Sequence, residues 1–290
     1  MLPTSVSLDY MLAARLRGVS GGGDIVLTGG GLLWNYPGTG IAFSGEANSW
    51  DDFSGNLTIK GGAEFQTIRN GATAMGSGDV ILGDATTSGT LSQVEGNWTW
   101  TNDFSLAGPD NTIANNSAAS PSGPSNRWLK LQGIISGSGG LTFTDTTGGF
   151  DNPNLGFILT GTNTPDAFTI DAGTPLRVGG VGGDNTSTNA GTSGSLGSAA
   201  VTNDGTLTFS RSDTHTVEAT ISGSGDVRIG STGISRSDTL QVTFSTTHTH
   251  SGITEVNAGT LYVSGELANT SEVNVAASLG MLSQSQVDDL

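Results

Sequence analysis

Ile135-Ser136-Gly137-Ser138-Gly139-Gly140-Leu141-Thr142-Phe143 returns 86 residues later as Ile221-Ser222-Gly223-Ser224-Gly225-Asp226-Val227-Arg228-Ile229. The offset persists downstream. Ile170-Asp171-Ala172-Gly173-Thr174 matches Val256-Asn257-Ala258-Gly259-Thr260 and, after the one-residue insertion of Pro175, Leu176-Arg177-Val178 matches Leu261-Tyr262-Val263. Repetition of a turn-plus-strand unit marks an array of stacked units rather than a set of separate cores.

Outward from these segments, pairs of apolar residues separated by one residue recur. They are Ile25/Leu27, Leu57/Ile59, Val80/Leu82, Leu141/Phe143, Leu176/Val178, Leu207/Phe209, Val227/Ile229, Leu261/Val263 and Val273/Val275. Alternation at period two places both members of a pair on one face of a strand. The intervening Thr58, Thr142, Arg177, Thr208, Arg228 and Tyr262 then face solvent. Gly, Asn, Asp or Ser bounds most of the runs, so the strands are short and the chain turns often. An antiparallel sandwich rarely repeats one unit in this way. The pattern predicts a right-handed, single-stranded parallel β-helix (β-solenoid), in which coils of ~20 to 30 residues stack at about 4.8 Å and equivalent apolar positions form inward ladders.

Composition agrees with a folded, repetitive chain. Gly fills 46 of 290 positions and charged residues only 12%, while hydrophobic residues reach 34% and are regularly spaced, unlike a disordered segment. A formal net charge of -16 argues against nucleic acid and anionic lipid as partners. Cys is absent, which excludes disulfides, thiolate metal sites and a cysteine nucleophile without fixing a compartment. No apolar run approaches the ~20 residues of a transmembrane helix, so direct membrane insertion is not expected. No basic region precedes the first apolar residues, as a secretory signal peptide would require.

The first residues depart from the pattern. Leu8, Met11, Leu12 and Leu16 lie at i, i+3, i+4 and i+8, which predicts a short amphipathic helix over 7–17, ended by Gly18 and capping the first coil. The resulting layout is a helical cap or leader at 1–20 and a solenoid over 21–290, with loops projecting near 114–126 and 179–195.

The segments 169–174, 196–207 and 250–263 (His250-Ser251-Gly252-Ile253-Thr254-Glu255-Val256-Asn257-Ala258-Gly259-Thr260-Leu261-Tyr262-Val263) resemble the autotransporter-associated β-strand repeat. The resemblance is clear over about 133–280 and fainter over 55–95. It implies a parallel β-helix stalk, exported to the bacterial surface or released from it, with adhesive or structural roles and no catalytic residues in the repeat. The C-terminal barrel of a complete autotransporter is not seen in 284–290.

Candidate chemistry is sparse. Gly179-Gly180-Val181-Gly182-Gly183-Asp184 fits one calcium-binding glycine-rich nonapeptide, with Asp184 as ligand, but it occurs once where such sites need adjacent copies; a glycine loop is the plainer reading. His248 and His250 share a strand face and a chelating spacing, although no third ligand is near, and they read as a surface Thr/His strand. Asp213 and His215 could orient a serine, but serines are so abundant in this chain that the coincidence is uninformative. β-Helix lyases and hydrolases gather carboxylates with Lys or Arg on one face, whereas Asp51 and Asp52 would face opposite ways in a strand and Asp145 and Asp151 sit in a turn with no basic partner close by. Trp98 and Trp100 alternate with polar residues and either stack on sugar rings or fill the core. These readings lead to a non-catalytic extracellular solenoid without cofactor or metal, whose partners are further copies of itself or surface glycans. A polysaccharide-binding or polysaccharide-cleaving β-helix is the alternative.

Overall fold

The computed structural model describes residues 5–8, 14–16, 20–29, 32–35, 52–68, 75–95, 98–115, 128–145, 156–180, 191–230 and 240–276. The described residues form strands and turns, and every strand pairing among them is parallel. From Val80 onward each coil visits three faces in turn. The first face stacks Ser5–Leu8, Asp24–Leu27, Leu57–Ile59, Val80–Leu82, Phe104–Leu106 and the start of Ile135–Asp145. After a break it resumes with Thr214–Val217, Gln241–Phe244 and Thr260–Val263. The second face runs from Ala14–Leu16 through Glu64–Ile68, Asp110–Asn115, the end of Ile135–Asp145 and Ala200–Asn203 to Thr220–Ser222. The third runs unbroken from Trp98–Trp100 to Glu272–Val275 in an eight-stranded sheet. Paired residues lie from 19 (Gln241 to Thr260) to 33 (Ile170 to Asn203) positions apart, and the corners absorb the difference.

The alternating pairs do what period two requires. Phe65, Leu91, Ile113, Phe143 and Ile170 stack in one interior column of the second face. Leu131, Leu159, Val178, Phe209 and Ile229 form another on the third. All of them are at 0% exposure. Burying a side chain of this kind contributes about 1.5–3 kcal/mol relative to leaving it in water.

Corners are stabilised by glycine and asparagine. A Cβ on Gly225 would stand 2.2 Å from the Gly205 carbonyl oxygen, and one on Gly252 would stand 2.2 Å from that of Gly225. Only a residue without a side chain lets successive coils approach this closely. Buried Asn side chains then tie coil to coil. The Asn111 Nδ2 group donates to the carbonyls of Gly108 (2.9 Å) and Gly140 (3.2 Å), and Asn163 Oδ1 accepts the Ile135 N–H at 2.9 Å while its Nδ2 donates to Ser195 O at 2.8 Å.

The 86-residue repeat is one face out of phase with the coils. Leu141 stands in a column with Phe168, Val201 and Ile221, whereas Val227 lies on the third face against Leu207. Ile135–Phe143 therefore turns from the first face to the second, and Ile221–Ile229 from the second to the third. The pair 170–178 and 256–263 shifts by the same single face. Both copies meet the same demand at their corners, since a Cβ at Gly137 would lie 2.4 Å from Leu106 O and one at Gly223 would lie 2.2 Å from Asn203 O. The repeat encodes a close-approach corner, and any corner of the coil accepts it.

Two expectations are corrected, and the two expected loops fall largely outside the described residues. The described part of the predicted 7–17 helix is strand: Leu8 pairs with Leu27, and Ala14–Leu16 pairs with Leu33 to Asn35. Val6 and Leu8 also alternate, and pairing to the next coil satisfies their backbone groups as well as a helix does. Of the expected loops, Ala114 and Asn115 belong to Asp110–Asn115 and are buried, while 116–126 lies outside the described residues. Gly179 and Gly180 are buried, 191–195 returns to the stack through Gly191↔Arg211 and Thr162↔Ser195, and 181–190 lies outside the described residues. Finally, the outward row of the third face is not solvated throughout, because Lys130, Ile158, Arg177 and Thr208 are buried in successive coils.

Candidate functional site

The first face breaks where residues 195–198 pass between the coils of Thr164 and Thr214 without forming a strand. The gap is a cleft of about 370 Å³. Buried Leu196 and Val217 supply apolar lining, and Ser195, Thr216, Glu218 and His215 supply polar groups. Arg211, only 8% exposed, fixes one wall. Its Nε and Nη2 hold the Asp213 carboxylate at 2.9 and 2.8 Å, Nη2 also donates to Thr192 O at 2.7 Å, and Nη1 donates to Gly194 O. A bidentate guanidinium of this kind positions the chain more rigidly than an ammonium would.

Asp213 is thus engaged by Arg211, and no hydrogen bond joins it to His215. The Asp213–His215 contact that would orient the imidazole toward a serine is not formed. Burial, reinforced by the Arg211 charge and opposed by Asp213, pushes His215 down to about 4, so its imidazole is neutral at physiological pH. A neutral ring, hydroxyls and one carboxylate over an apolar floor suit hydrogen bonding to a small hydroxylated ligand.

His248 and His250 correct the expected surface strand. Thr247 and Thr249 point outward, and both histidines are fully buried. His248 Nδ1 accepts the Ile221 N–H at 3.2 Å, which leaves the proton on Nε2, and its ring lies 4.3 Å from that of Phe244. His250 Nε2 meets Thr254 Oγ1 at 2.9 Å. His248 Nε2 and His250 Nδ1 have no hydrogen-bond partner. Burial, followed by the charge of His250, holds His248 down at about 4, and burial lowers His250 as well. Among the described residues no group of three His, Asp or Glu is placed to hold a metal ion.

The remaining candidates separate. Trp100 is at 0% exposure in the core beside Phe104, with ring centroids 6.4 Å apart, so it presents no face to a sugar. Trp98 is half-buried and packs against the same core. Asp184, Asp51 and Asp151 lie outside the described residues. Asp145 ends a strand, accepts from Asn115 Nδ2 at 3.4 Å and donates its N–H to Thr174 Oγ1 at 2.9 Å. Sequence reasoning missed the buried cations Lys130 and Arg177. Burial lowers Arg177 to about 10, and burial followed by the Arg177 charge lowers Lys130.

Fold and site together define a three-faced parallel β-solenoid with a lateral cleft that has an apolar floor and a few polar groups. No protein-family model matches the chain, and no curated protein or solved structure matches it.

Proposed function

We propose that the chain is a non-catalytic β-solenoid segment of an extracellular bacterial protein, serving as a stalk, an adhesin part or a self-associating matrix subunit. The observation that carries this reading is the investment in coil-to-coil contact. Backbone ladders, buried Asn side chains and side-chain-free Gly corners all bind each coil to the next, which produces a stiff polar rod. The resemblance of 133–280 to autotransporter-associated repeats adds the surface location.

Protease shaving of intact cells of the source bacterium tests the location. Release of fragments from unlysed cells is expected, and full protection until lysis would overturn it. Light scattering across a concentration series tests self-association, which a strict monomer would remove from the proposal.

The cleft favours a second reading, recognition of a glycan. Binding on a glycan array that is lost in His215→Ala and Glu218→Gln, with an unchanged melting temperature, would move the assignment there.

A further inference from the structure

The outward side of the second face repeats one residue class in coil after coil. Thr90, Thr112, Thr142, Thr169 and Thr202 stand in register, and Ser222 follows. The Thr249 N–H donates to Ile221 O at 2.7 Å, which sets Thr249 in the next rung of this column. The flanking columns are short as well. Gly140, Ala167, Ala200 and Thr220 run along one side. On the other side Ser92 and Ala114 are buried at the first two rungs, and the accessible flank begins at Thr144, followed two positions beyond the central column by Asp171, Asp204, Ser224 and Ser251.

No Lys, Arg or aromatic residue interrupts these three columns between the rungs of Thr90 and Thr249. The charges present are Asp110, Asp171 and Asp204, and two of them are turned to bonding along the stack. Asp171 Oδ2 accepts the Thr144 hydroxyl, and Asp204 Oδ1 accepts both the N–H and the hydroxyl of Ser224 at 2.8 Å.

This surface constrains its partner. Rung spacing is fixed by backbone hydrogen bonds at about 4.8 Å, so the six intervals from Thr90 to Thr249 place hydroxyls at regular steps over roughly 29 Å. Rigid groups add their binding energies only against a surface with a matching fixed repeat. A soluble protein partner would be met by aromatic or Arg anchors, which these columns lack. A charged polymer would be met by opposite charge, and the chain's -16 excludes polyanions while these columns offer few groups to a polycation. What remains is a neutral crystalline array of hydrogen-bonding oxygens. Hexagonal ice repeats its oxygens along one axis at slightly less than the rung spacing, and a Thr column offers it a hydroxyl and a methyl at every step.

We propose that the second face binds ice, with the column Thr90 to Thr249 as its axis. The test is ice-affinity partitioning of the purified protein together with microscopy of crystal growth below the melting point. The protein is expected in the ice fraction, with faceted crystals. Thr169→Lys combined with Thr202→Lys is expected to lower partitioning by about tenfold or more through loss of multivalent registry. Thr243→Lys, on the outward side of the first face, should leave it unchanged. Circular dichroism and melting temperature establish that each variant is folded. Exclusion of the wild type from ice would overturn the proposal, as would equal loss in Thr243→Lys. So would retention on crystalline cellulose but not ice, which would assign the face to a polysaccharide surface.

Discussion

The coils between Leu57 and Phe209 and those from Thr214 to Val275 share one backbone geometry but fill it differently. In the first group the interior is mainly aromatic and aliphatic, with Gln93, Asn111, Asn115, Asn163 and Asn203 buried among it. Phe143 lies 5.0 Å from Phe157 and 5.8 Å from Phe168, ring centre to ring centre, in tilted contacts that add to area burial. In the second group His248, His250 and Thr254 take interior positions, and the last rungs leave Val273 and Val275 exposed. The difference shows that backbone pairing and corner glycines define the coil. Side-chain class then decides how firmly, and at what pH, each coil is held.

The largest expected effect tests what the two groups share. Gly225→Val places a side chain 2.2 Å or less from the Gly205 carbonyl oxygen, backbone that cannot yield locally, and should cost more than about 4 kcal/mol. Chemical denaturation would read this, and a near-neutral result would refute the close-stacked corner. Next comes Phe143→Ala, expected to cost about 3–5 kcal/mol because Phe157 and Phe168 lose a shared neighbour in a site with little freedom to collapse. A loss no greater than that of a solvent-facing substitution would mean the middle interior is not packed as described.

A smaller effect separates the two groups by pH. The folded chain keeps His248 neutral down to about 4, while the unfolded chain protonates it near 6.5, so within that interval the unfolded state binds more protons. Stability therefore falls as pH drops through this window, by about 3 kcal/mol for His248 when it is fully crossed. Hydrogen exchange from pH 7 to pH 4 should show protection lost first in 241–267 and retained in 80–178. His248→Phe should flatten the slope, and an unchanged slope would contradict the burial of this imidazole. Smallest of all, Thr169→Lys should alter stability by no more than about 0.5 kcal/mol, since it stands on the outer surface. A large loss would show that the second face is covered.

The fold was legible because its two demands leave marks in composition: alternating apolar pairs such as Leu207/Phe209, and Gly at corners such as Gly137 and Gly223. The one-face phase shift was not legible, because a corner motif does not say which corner it turns. Nor was the burial of the histidines. In Thr247-His248-Thr249-His250 both phases of the alternation are polar, and a one-residue slip exchanges inside for outside. The start misled because Leu8 and Leu12 fit a helix while Val6 and Leu8 fit a strand, and the neighbouring coil decides between them. The Thr column lay dispersed over positions 90 to 249, where only the pairing register aligns it. The cleft depends on a bidentate Arg211–Asp213 contact that spacing alone does not distinguish from any other charged pair.

Because the chain has no Cys, engineered pairs report the stacking without background. Residues facing each other across adjacent rungs have Cα separations within the disulfide range. Thr169→Cys with Thr202→Cys should close a disulfide on mild oxidation, since the two are register partners. Thr142→Cys with Arg228→Cys joins repeat-equivalent positions that lie on different faces, and it should not close. Cross-linking of the second pair and not the first would contradict the stacked, one-face-shifted solenoid.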